Sequence, residues 1–195
     1  MIGKTASPRE TRREERVAAI IAAAWKLARE RGIGGVSLHA LAREVGIRQP
    51  SLYAYFDSKH ALYDALFADG NQQLLARLES VALPDEPRAA VKAFMRAFVT
   101  FAVEDPDRAN LLFQRPIPGF QPTPAAYEPA QRVLALGVGR LQAAGVSNPD
   151  HVDCYVAMIA GLIDAQISND PGGDRWTRHL DALTDMYLDN FERKA

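Results

Sequence analysis

Apolar residues recur at helical spacing along nearly the whole chain, and no stretch shows the period-two alternation of a half-buried strand. Ser7-Pro8-Arg9-Glu10 reads as a capping box with proline at the first helical position, and Val17, Ile20, Ile21, Ala24 and Ala28 then line one face of a first helix. Gly32, after Arg29-Glu30-Arg31, stops it. Ser37 caps a short second helix with Leu38, Leu41, Ala42 and Val45 inward, and Gly46 ends it. A third short helix is expected over residues 49–55. Asp57-Ser58 opens a longer fourth, carrying Leu62, Leu66, Leu74, Leu75, Leu78 and Val81, with Gly70 inside it as a place to bend.

Leu83-Pro84-Asp85-Glu86-Pro87 is a break, after which Val91, Phe94, Phe98, Phe101 and Ala102 mark a fifth amphipathic helix. Asp105-Pro106 opens a sixth, short helix to about Phe113. Residues 114–124 hold four prolines and cannot be helical throughout. A seventh helix follows with Leu134, Val138 and Leu141 on one face, and Asn148-Pro149 opens an eighth. Asp170-Pro171-Gly172-Gly173 turns into a ninth, carrying Trp176, Leu180, Leu183, Tyr187, Leu188 and Phe191. The pattern predicts an all-α protein of about nine helices.

Composition narrows the class. Hydrophobic residues are 48% of the 195, enough for a sizeable core. No apolar run approaches the roughly 18 residues of a membrane span, and residues 1–10 lack the pattern of a secretory leader, so a cytoplasmic setting with no membrane partner is expected. Cys154 is the only cysteine, which excludes an intrachain disulfide. The net charge of −1 hides an asymmetry: residues 1–60 carry 11 Lys+Arg against 6 Asp+Glu, and residues 61–195 carry 12 against 18. A basic first third suggests that this end meets a polyanion.

Within that basic third, residues 36–62 hold two short helices joined at Gly46-Ile47. Glycine permits the left-handed backbone that lets the second cross the first, Ala42 is small at the approach, and Leu41, Val45, Ile47 and Leu52 form the wedge between them. Arg48, Gln49, Ser51 and Tyr53 remain outward, with Tyr55 near the end, and a helix carrying such side chains fits the DNA major groove. Ser37, Leu41-Ala42, Gly46-Ile47, Leu52-Tyr53-Ala54-Tyr55-Phe56, Ser58-Lys59 and Leu62 together resemble the DNA-binding signature of the TetR family of bacterial regulators. The remaining two-thirds resembles that family only in layout.

The resemblance implies a helix-turn-helix DNA-binding domain over residues 1–57, a connecting fourth helix over 58–82, and an effector-binding and dimerisation domain over 58–195. It implies a homodimer on a near-palindromic duplex operator, most simply a repressor released by a mostly apolar small molecule, with no catalytic role, cofactor or metal. Ser37 resembles a phosphate-contacting cap, or is a cap only; Gln49, Pro50, Ser51 and Tyr53 resemble the reading face; Tyr55 reaches the DNA backbone or packs beneath the helix; Lys59 resembles a phosphate-contacting lysine. His39 is grouped with them. Arg48 departs from the family's usual Ser or Thr and cannot cap the third helix, but can contact phosphate or guanine.

Rival chemistry is poorly supplied. His39, His60, His151 and His179 show no metal-ligand pairing, Gly137-Val138-Gly139 is no dinucleotide fingerprint, and Cys154 is expected as a buried small hydrophobe on an apolar helix. An architectural DNA-binding protein without an effector is the alternative that residue patterns leave open. For an effector, Phe94, Phe98, Phe101, Phe113 and Tyr127 are the richest aromatic group, either pocket lining or ordinary core. The eighth and ninth helices are expected at the dimer contact, through Val156, Gly161, Leu162, Trp176, Leu180, Leu183 and Tyr187.

Overall fold

The computed structural model describes residues 7–191, and among them every regular element is helical. The α-helices are α1 (Pro8–Arg31), α2 (Leu38–Glu44), α3 (Gln49–Leu52), α4 (Lys59–Glu79), α5 (Pro87–Glu104), α6 (Pro106–Phe113), α7 (Pro124–Ala143), α8 (Pro149–Asn169) and α9 (Leu180–Phe191). Residues 1–6, which carry most of the leader expectation, lie outside this range. No helix among the described residues is long and apolar enough to cross a membrane.

The helix starts follow from local chemistry. Glu10 N donates to Ser7 Oγ at 3.3 Å while Ser7 N donates to Glu10 Oε2 at 2.6 Å, which completes the capping box. Ser37, Ser58, Asp105, Thr123 and Asn148 cap α2, α4, α6, α7 and α8 in the same manner, each accepting from an otherwise orphaned N–H. Glu86 caps α5, which the residue pattern did not single out. Three expectations change. The third helix closes at Leu52 rather than Tyr55, with Tyr53–Tyr55 in a turn. The ninth starts at Leu180, so Trp176 precedes it and the 3₁₀ turn Thr177–His179 intervenes. Gly70 marks a close approach and not a break: a Cβ there would lie 3.0 Å from Leu112 Cδ2 and 3.3 Å from Trp25 Cζ2.

Two hydrophobic cores divide the molecule, and α4 passes through both. Ile20, Ala24, Leu27, Leu41, Leu52, Phe56, Leu62, Tyr63 and Leu66 form the core of a head, into which Leu111 of α6 also reaches. Phe67, Leu74, Leu75 and Leu78 belong to the core of a larger body built from α4 to α9. Head and body are fastened by polar contacts as well. Trp25 Nε1 donates to Asp69 Oδ2 at 2.7 Å, Arg29 pairs with Asp105 at 3.1 Å, and Asp64 accepts from Thr123 N at 2.7 Å and Oγ1 at 2.9 Å. Phe120, in the proline-rich loop, lies beside His60 and Tyr63 of α4 with ring centroids 6.0 and 5.8 Å away.

Candidate functional site

Two places have the makings of a site: the outer surface of the head, and an apolar space inside the body. In the head, Gly46 adopts φ +71°, and Ile47 N donates to Ala42 O at 2.9 Å, closing the turn that seats α3 on α2. Leu41, Ala42 and Leu52 are buried at that contact, and Val45 and Ile47 are half-buried against the same core. The wedge expected from the residue pattern is therefore in place.

The outward residues are Ser37, His39, Arg48, Pro50, Ser51 and Tyr53, all exposed, with Gln49 and Tyr55 half-buried. Tyr53 stands out because a large ring is 47% exposed at the C-terminal cap of a four-residue helix whose only buried side chain is Leu52. Ser37 Oγ accepts from Ala40 N at 3.1 Å, leaving its O–H free to donate outward. Arg48 occupies the cap position of α3 without a capping hydrogen bond, as its side chain dictates. Lys59 is held more closely than expected: its Nζ donates to Gly34 O at 3.2 Å and lies 5.3 Å from the Tyr63 ring. Residue patterns passed over Arg13, whose guanidinium stands 6.0 Å over the Tyr55 ring, and exposed Arg9, Arg12 and Arg16 on the same helix. Their spacing of three and four along α1 is the signal that would have found them.

In the body, a cavity of about 320 Å³ lies between α4, α5, α6, α7 and α8. Phe94, Phe98, Phe113 and Tyr127 line it, together with Phe67, Asn71, Gln131 and Val156, which the aromatic pattern did not include. Phe101 does not. It is buried farther along α5, its ring against the Arg108 guanidinium at 3.6 Å. Seven residues of helix separate it from Phe94, about 10 Å along the axis, which carries it past the cavity. A second space of about 390 Å³ lies on the far side of Phe98 and Phe113, walled by α8 from Val156 to Ser168. A third, of about 430 Å³, runs beneath residues 114–122, and Phe113 borders all three.

Helices α8 and α9 present a partly apolar outer surface. Val156 is 48% exposed and Met186 64%, while Ala157, Ala160 and Gly161 are exposed beside Val156. A Cβ at Gly161 would meet nothing within 4 Å. Leu162, Leu180 and Tyr187 turn the other way, into the chain's own core, where Tyr187 Oη donates to His151 O. Trp176 and Leu183 are half-buried against that core. Cys154 is exposed, contrary to the sequence expectation, because it shares the uncovered face of α8 with Ala157 and Gly161. Burial pushes the Tyr155 phenol up to about 12; it stays neutral and shares a hydrogen bond with Thr184 Oγ1 at 2.9 Å.

Comparisons with known proteins agree with this geometry. Residues 20–66 match the profile of bacterial regulatory proteins of the tetR family, and residues 91–190 match that of the tetracyclin repressor-like C-terminal domain. The transcriptional regulator Rv1816 of Mycobacterium tuberculosis strain H37Rv is 32% identical over 121 residues, 60% of this chain and 51% of that protein. The chain spans about half the length of the curated relatives it matches. A protein of unknown function from Rhodococcus sp. RHA1 shares the fold with a TM-score of 0.75 at 24% identity, over 91% of this chain and 95% of its own. A TetR variant from Acinetobacter baumannii AYE, solved in complex with minocycline, superposes with a TM-score of 0.56 at 26% identity, over 89% and 92% of the two chains. With the second profile alone covering half of its length, and a helix-turn-helix head in front of it, this chain belongs to the TetR family of bacterial regulatory proteins.

Proposed function

We propose that this protein is a dimeric, sequence-specific DNA-binding regulator whose grip on a near-palindromic operator is released by a mostly apolar small molecule. One observation carries the reading: the helix that supports the head, α4, is also a wall of the 320 Å³ cavity, through Phe67 and Asn71. A ligand that repositions Phe67 acts on the same rigid element that buries Leu62, Tyr63 and Leu66 beneath the reading helix. The boundary between the two functional units then falls within α4, near Leu66 and Phe67, rather than at residue 57.

On the DNA side, Tyr53, Pro50, Ser51 and Gln49 enter the major groove, with Gln49 suited to adenine and Pro50 to a thymine methyl. Ser37, His39, Arg48 and Tyr55 line the approach, and Arg13 adds a cation beside Tyr55. Lys59 exchanges its Gly34 partner for a phosphate. A second copy docks on the exposed face of α8 and α9, centred on Val156, Gly161 and Met186, which gives two heads about one helical turn or a multiple apart.

Selection from a random duplex pool, followed by anisotropy titration at several salt concentrations, tests this. A near-palindrome should be enriched, with affinity falling steeply as salt rises. Tyr53→Ala should weaken binding and blur the sequence preference. Lys59→Ala should weaken all duplexes alike and lower the salt slope by about 1. No enrichment, or a Tyr53→Ala variant indistinguishable from wild type, would overturn the assignment. An architectural protein without an effector would bind DNA but be stabilised by no apolar compound in a thermal-shift screen.

A further inference from the structure

Of the polar side chains that line the body cavity, Gln131 and Tyr127 are exposed and Asn71 is buried. Asn71 lies in the buried stripe of α4 between Phe67 and Leu74, is 3% exposed and lines the cavity. Its Nδ2 donates to Phe67 O, one turn earlier, at 2.9 Å. A carbonyl accepts only from a donor, so this bond fixes the amide: the nitrogen faces the backbone and Oδ1 is left over. No hydrogen bond to Oδ1 is found among the described residues, and Oδ1 is not among the side-chain atoms sealed off without a partner, so it opens onto the cavity, where water or a guest supplies its donor.

The surroundings limit what can satisfy it. Among the described residues no Lys, Arg, His, Asp or Glu lines the cavity, so a charged guest would be stranded without a counter-ion. Phe67 and Tyr127 are stacked nearly parallel, centroids 5.9 Å apart and planes within 6°, and Phe98 and Phe113 form a tilted pair at 5.3 Å. Aromatic walls favour a flat ring through offset or edge contacts. A volume of about 320 Å³ admits a molecule of one or two rings.

Building on the effector reading above, we propose that the ligand is a neutral, ring-containing compound bearing a hydroxyl or N–H donor, and that Asn71 selects it by accepting that hydrogen through Oδ1. Phe67 supplies both the carbonyl that orients Asn71 and one ring of the stacked pair. Recognition of the donor is therefore built into the turn of α4 where the head core meets the body core.

The test uses 4-propylphenol and its methyl ether 4-propylanisole, which differ in the donor and share the ring and tail. Calorimetric titration into the wild-type protein should show the phenol bound about tenfold or more tighter than the ether. Asn71→Leu should bring the two affinities together while the ether still binds. Gly137→Leu, which places a side chain beside Phe94 in the cavity wall, should block both probes. The inference falls if wild type binds phenol and ether equally, if the phenol preference survives Asn71→Leu, if Gly137→Leu still binds the phenol, or if neither probe binds. Propylbenzene and biphenyl separate this failure from that of the effector reading. If they bind without any phenol preference, only the role of Asn71 is lost; if no compound binds at all, both readings are lost.

Discussion

In the head, Leu41, Leu52 and Leu62 come from three helices and are fully buried in one core, and the polar side chains stay outside. In the body, Phe94, Phe98, Phe113 and Tyr127 come from three helices too, but they stand around a space of about 320 Å³. Leucines at a short, tight crossing fill their volume; large rings on longer helices reach each other and leave room between. The head is filled, and its polar side chains project from it. The body has an interior that a guest can fill. Helix α4 belongs to both, and at Gly70 it lies close against Leu112 and Trp25.

Substitutions that treat the two regions differently sharpen this contrast. The largest effect is expected from Leu52→Ala. Leu52 is the only buried residue of α3, and its loss should cost about 2–5 kcal/mol. Urea denaturation should show the loss, and DNA binding should vanish while the body's helices persist by circular dichroism. Next is Gly161→Leu on the open face of α8, which should overpack the proposed dimer contact by roughly 1–3 kcal/mol. Sedimentation should then show monomers at low concentration. In wild type, Cys154 on the same face should react slowly with a maleimide and become fast in that variant; equal rates would place the contact elsewhere.

A smaller effect of opposite sign is expected at Gly137 on α7. A methyl there meets Phe94 Cε1 at 3.6 Å, an ordinary contact, and alanine is the better helix former by about 1 kcal/mol. Gly137→Ala should raise the unfolding midpoint and narrow the cavity, leaving the head's DNA affinity unchanged. The smallest effect concerns acid. The hydrogen bond from Lys92, and after it that from Arg88, holds Asp185 below the usual carboxylate range. A carboxyl depressed in the folded state adds stability above its unfolded value and loses it as pH falls through the folded one. Asp185→Asn should therefore lower stability slightly at neutral pH, leave it nearly unchanged at strongly acid pH, and so flatten the acid limb of a stability profile.

The head was the more legible of the two in the sequence. Its caps at Ser7, Ser37 and Ser58 and its turn at Gly46 depend on neighbours within a few residues, and those neighbours are visible in a string of letters. The body depends on what lies opposite. Helical spacing placed Phe94, Phe98 and Phe101 on one stripe, but only the packing of α6 and α7 decides which of them meets open space. Leu162, Leu180 and Tyr187 looked like interface for the same reason: an apolar stripe does not say whether its own chain or a partner covers it. Asn71 and Arg13 were missed because each gains its meaning from a distant group, the cavity in one case and the Tyr55 ring in the other.

The central claim is that the DNA-reading head and the body cavity are coupled through α4. It is tested most directly by titrating the tightest compound from an apolar screen into the dimer, by calorimetry, with and without saturating selected duplex. The account predicts that duplex weakens the compound's affinity by the same factor by which the compound weakens DNA binding, since linkage is reciprocal. Equal affinity in the presence and absence of DNA would contradict it.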